Sequence, residues 1–157
     1  MNYNYLNIYN NLIKLTRNKN LYLYLEKNDT FSDRLVFLFF HFALFLKRFK
    51  SEIPKNDLQE LFDFVIRQIE LSIREIGYGD VSVNKKMKDF INLFYSIVNK
   101  IEIADLNDKD EKMYFIKNYI NTNNNLEFYA DYLEKYRFFL SKNTLNNFSK
   151  DIINLNF

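Results

Sequence analysis

Between Leu35 and Leu46 nearly every residue is apolar, and a helix built from that run has no polar face to turn toward water. Other elements must enclose it, so the run calls for a multi-helix body with one wrapped member. The run is about 12 residues long, short of the roughly 20 needed to cross a bilayer. It also carries His41, the sole histidine of the chain. The expectation is a buried central helix over Phe31 to Phe49, with Asp29 and Thr30 placed to cap its start. Partial exposure of its apolar surface to a client protein or a membrane is the alternative.

The remaining pattern supplies the wrapping. Ile8, Leu12 and Leu15 recur at helical spacing up to Thr16, and Leu21 to Leu25 reads as a second short helix. Pro54 sits at a helix start, after which Leu58, Leu61, Phe62, Val65, Ile69, Ile73 and Ile76 form one stripe. Val83, Met87, Phe90, Ile91, Phe94, Val98 and Ile101 form another, and the two helices should pack as an antiparallel pair. Asp108 or Asp110 caps a helix through Tyr119 or Ile120, and Asn121 to Asn125 is a loop. Leu126 to Leu140 carries a further stripe, and Thr144 caps a last helix ending near Ile153. The reading is all-α, one domain over residues 1–157, with about six to eight helices.

Both glycines of the chain, Gly77 and Gly79, fall in the single short joint between the two long stripes. Glycine reaches left-handed backbone without a Cβ penalty, so Gly77 reads as the residue that ends one helix. Asp80 or Ser82 can then accept from the free N–H groups that open the next. Lys85, Lys86 and Lys88 follow in what reads as the first turns of that helix, where the macrodipole disfavours cations. Asp33 or Asp29 is placed to hold Arg34 or the incoming Arg74.

Composition narrows the function classes. With 17 Phe and 12 Tyr but no Trp, the core should be ring-packed, and the absence of Cys excludes disulfides, thiolate metal sites and cysteine nucleophiles. One histidine cannot build an imidazole metal cluster, and Gly77-Tyr78-Gly79 lacks the rest of a phosphate-binding loop. Glu60, Asp63 and Glu70 lie beside Arg67 and Arg74 as a solvated charged face, so no catalytic residue, metal or cofactor is expected. His41 reads as a buried histidine bonded to a neighbouring helix or carboxylate. Net charge is only +2, and neither half of the chain is a basic domain, which argues against direct nucleic-acid readout. The start, Met1 to Leu6, shows no secretory or mitochondrial presequence pattern.

Arg74-Glu75-Ile76-Gly77-Tyr78-Gly79-Asp80, followed by Val83 and Lys85-Lys86-Met87-Lys88, resembles the signature segment of the ubiquinol-cytochrome c chaperone family. Asp29 to Leu35 with His41 looks like that family's opening block, and Leu61-Phe62-Asp63 with Ser72 to Glu75 like its second. Phe94-Tyr95 resembles the start of its Phe-Tyr-Gly-Arg segment, with Ser96 and Ile97 in the last two places. The resemblance implies an assembly chaperone for the cytochrome bc1 complex that binds newly made cytochrome b. It implies a bacterial form at the cytoplasmic face of the inner membrane, with possible engagement of a second assembly factor, the ribosome and the membrane surface. Partner contact is assigned on that basis to Arg74, Glu75, Gly77, Tyr78, Gly79, Asp80, Lys85, Lys86 and Lys88, supported by Asp33, Arg34 and His41. A ribosome- or RNA-associated factor using the same lysines is the rival, and a plain structural interaction domain is the third reading.

Overall fold

In a computed structural model the chain is described over residues 3–26, 30–122 and 125–150. Seven α-helices follow in order: α1 (Tyr5–Thr16), α2 (Phe31–Phe49), α3 (Lys55–Ile76), α4 (Asp80–Ile103), α5 (Lys109–Tyr119), α6 (Leu126–Lys142) and α7 (Leu145–Lys150). Two 3-10 turns, Lys19–Tyr22 and Lys50–Glu52, complete the regular structure among the described residues, which include no strand. The expected helix over Leu21 to Leu25 is therefore only the first of these turns. Its Asn18 cap accepts from Asn20 two residues on, a local bond that competes with helix propagation.

Thr30 and Asp33 close a capping box on α2: the Thr30 hydroxyl accepts from the Asp33 N–H, and the Asp33 carboxylate accepts from the Thr30 N–H at 3.1 Å. Every residue from Phe37 to Phe45 is buried, as a helix without a polar face requires. Its rings reach out on several sides. Phe39 and Phe42 lie against Phe94 of α4 at 5.3 and 5.2 Å, and Phe40 against Phe115 of α5 at 5.1 Å. Phe37 stacks on Tyr129 of α6 at 5.8 Å, and Phe45 meets Phe148 of α7 at 4.8 Å. Such pairs add about 0.5–1.5 kcal/mol each beyond the area they bury. Most of the apolar surface of α2 is thus consumed internally.

The α3 stripe is buried at Leu61, Val65, Ile69 and Ile73, and α3 packs on α4 as expected for a joined pair. Asp108 caps α5 and Thr144 caps α7, whose expected end near Ile153 lies outside the described residues. Asp29, expected as a cap or an ion-pair partner, also lies outside them. Among the described residues, no helix is long and apolar enough to cross a membrane.

Candidate functional site

The corner between α3 and α4 is built on Gly77, whose φ of +108° lies in the left-handed region. Its N–H bonds to the Arg74 carbonyl at 3.0 Å and closes the last turn of α3. Gly79 is extended, with φ −74° and ψ 166°, and occupies the cap position of α4 without any side chain to satisfy the helix start. The side-chain cap expected from Asp80 or Ser82 is not made. Helix α4 opens at Asp80 itself, and the Asp80 carboxylate is taken by Arg74, which also holds Glu70 at 3.1 Å. These partners, Asp80 foremost, push the Arg74 guanidinium further into its charged form. Arg74 is held within its own corner, so the expected pairing with Asp33 is corrected: Asp33 belongs to the α2 cap.

The early start of α4 also moves the lysines. Lys85, Lys86 and Lys88 fall in its second and third turns, beyond the first-turn reach of the macrodipole, so the electrostatic conflict expected for them disappears. Lys86 lies over the Tyr78 ring, 4.5 Å from its centroid, a contact worth about 0.5–1 kcal/mol at an exposed site. Lys85 and Lys88 are exposed.

All residues from Arg74 to Ser82 are exposed. Among them are Ile76, expected in the packing stripe of α3 but 54 % exposed, and Val81 at 86 % exposure, which the sequence pattern did not flag, joined by Leu71 at 46 %. Ile76 keeps the stripe spacing of α3 but comes at the helix end, where there is nothing left to pack on. Leu71 is an apolar residue on the charged face of α3, and that mismatch was the one available signal. Two shallow depressions of about 430 and 370 Å³ share Ile66 and Glu70 here. The first adds Leu71 and Arg74, the second Met87, Lys88 and Ile91. The corner therefore presents apolar side chains set among paired charges, a surface suited to binding.

The other sequence-assigned residues are not brought to this corner. Arg34 is exposed but lines a separate cleft between α1, α2 and α3. His41 is 1 % exposed, so its assignment to partner contact is corrected. Its Nδ1 lies 2.6 Å from the Phe37 carbonyl, which only accepts, so Nδ1 carries the proton and Nε2 accepts from the Tyr132 hydroxyl at 2.5 Å. Burial holds the imidazole neutral, with its pKa down to about 3. Among the described residues, no three His, Asp or Glu side chains gather as a metal-binding group.

Among curated proteins, none matches the chain. It is similar to a solved structure, the Cbp3 homolog from Brucella abortus, at 26 % identity and a TM-score of 0.76, covering 97 % of this chain and 88 % of that one. The sequence pattern of the ubiquinol-cytochrome C chaperone family matches residues 23–119, more than half of the chain and including the α3–α4 corner. On that match, the chain belongs to the ubiquinol-cytochrome c chaperone family.

Proposed function

We propose that the chain is a non-catalytic assembly chaperone for the ubiquinol-cytochrome c reductase that holds newly made cytochrome b at the α3–α4 corner. Family membership supports the chaperone role, and the exposed apolar side chains of the corner carry the assignment of the surface. An apolar client segment would lie on Leu71, Ile76, Tyr78 and Val81 and on the adjoining depressions, as amphipathic helices lie in grooves. Glu75, Lys85, Lys86 and Lys88 would set its register, since charges around an apolar contact govern orientation more than affinity. The backbone break at Gly77 and Gly79 shapes this corner, and the Arg74 pairs with Asp80 and Glu70 brace it. In this reading the chain works peripherally at the cytoplasmic face of the inner membrane, near the ribosome and alongside a second assembly factor.

Pull-down from native membranes tests the assignment. The Lys85→Glu, Lys86→Glu, Lys88→Glu variant should recover at least tenfold less cytochrome b and lower its accumulation, with helicity unchanged. Normal recovery and accumulation with that variant would remove the lysines from the site. Leu71→Asp with Val81→Asp tests the apolar part separately, and both positions are open enough for the fold to tolerate the change.

A further inference from the structure

Where α4 ends and α5 begins, a depression of about 680 Å³ lies open. Its floor is Phe115, a buried ring set against Phe40 of α2 at 5.1 Å, so the core fixes its shape. Two apolar residues that line it, Ile103 and Tyr114, stand out at 86 % and 66 % exposure. The charged lining is Lys100 of α4 with Asp110 and Glu111 of α5. Glu111 is engaged, accepting from the Asp105 N–H at 2.5 Å. Glu102 nearby is taken by Lys50, and Lys109 by Glu127. Lys100 and Asp110 are exposed, and among the described residues neither side chain has an ion-pair or hydrogen-bond partner, although both line the same hollow.

This pattern restricts the occupant. Ile103 and Tyr114 project outward and do not enclose a small molecule, most of whose surface a binding site must bury. Two carboxylates on the α5 side repel a phosphate-rich surface. A protein surface remains, and it must offer a protruding apolar group, a hollow beside it and one free charge of each sign. The patch itself meets that description. A two-fold axis sets the same patch against itself in reverse. Ile103 of each copy then enters the hollow of the other, and Lys100 of one copy faces Asp110 of the other, twice over.

We propose that the α4–α5 joint is the face through which two copies of this chain associate. The proposal goes beyond the client-holding reading and does not depend on it. A patch this small sits at the low end of interface sizes, which places the association between about 1 µM and 1 mM. Sedimentation velocity of the full chain across that range should show the sedimentation coefficient rising with concentration. Ile103→Asp, at a side chain open enough for the fold to tolerate the change, should keep the chain monomeric. Lys100→Asp and Asp110→Lys should each weaken association about tenfold or more, because like charges then face one another at both contacts. An equimolar mixture of those two variants should associate again, since each contact between unlike chains pairs opposite charges. Far-ultraviolet dichroism checks that helicity is kept. Should Asp110→Lys disturb the first turn of α5, Lys100→Asp alone still tests the pairing. Four outcomes would overturn the proposal: a monomer at every concentration, a dimer indifferent to Ile103→Asp, a dimer indifferent to Lys100→Asp, or a mixture of well-folded charge variants that stays monomeric. Leu71→Asp with Val81→Asp should dimerise normally; loss of the dimer there would move the interface to the α3–α4 corner. Cytochrome b recovery is read in none of these arms, so the two readings fail separately.

Discussion

At His41 a buried imidazole is bonded at both nitrogens, donating from Nδ1 to Phe37 and accepting at Nε2 from Tyr132. A second proton would have to displace the Tyr132 hydroxyl in a site closed to water. The folded value of about 3 against an ordinary 6.5 means the unfolded chain binds a proton that the folded chain refuses. Stability is therefore complete well above pH 6.5 and drains as pH falls toward 3, by roughly 2–3 kcal/mol between pH 6 and pH 4. His41→Gln should be less stable at pH 7 by about 1–3 kcal/mol through its disturbed bonds, yet show a flatter acid profile. Urea denaturation at pH 7, 6, 5 and 4 reads the difference, and parallel profiles would assign the acid sensitivity to other groups. Glu134 is the obvious one. Burial opposes its charge, but Lys112 and Arg137 hold it below the usual range, so it matters only nearer pH 4. The burial of His41 was legible among its phenylalanines. Its partner was not, because Tyr132 lies 91 residues away and nothing local marks it.

The same substitution should have opposite effects at the two glycines of the α3–α4 joint. Neither has a heavy atom within 4 Å of where a Cβ would sit, so backbone conformation decides. Gly77→Ser forces a side chain into left-handed backbone and should cost about 1–2 kcal/mol. Gly79→Ser places a good capping residue in an extended conformation that already suits it, and should gain about 0.5 kcal/mol. Thermal unfolding of the two variants checks the signs; a loss at Gly79 would mean the open cap is satisfied in another way. The joint was legible because the chain has no other glycine. Its electrostatics were not, since Arg74 claims Asp80 across the turn and thereby removes the expected cap. A start at Asp80 and not at Val83, three residues later, also decides whether Lys85 and Lys86 sit beyond the helix's first turn or in it. Pattern reasoning has no access to that margin.

The way the molecule is held together follows from a central helix whose rings touch four other helices. That arrangement was legible as a necessity, because α2 has no face to spare, while the identity of each neighbour depends on contacts far apart in sequence. The consequence is cooperativity: α4, α5, α6 and α7 are each tied to α2 by an aromatic pair, so none should unfold alone while α2 stays packed. Phe45 is the sharpest test, being fully buried and in ring contact with Phe42, Phe49 and Phe148. Phe45→Ala should cost about 3–5 kcal/mol, a large part of the 5–15 kcal/mol that usually holds a domain together. Phe138→Ala, at a ring 65 % exposed, should stay within about 0.5 kcal/mol. Urea unfolding followed by far-ultraviolet dichroism and by tyrosine fluorescence should give one coincident transition for both variants, with the Phe45 midpoint shifted and its slope unchanged. Separate transitions would mean that part of the bundle folds independently of α2. The corner at Gly77 would then lose the rigid support that lets it hold apolar side chains out in water, because a surface backed by a fluctuating helix pair would collapse onto them.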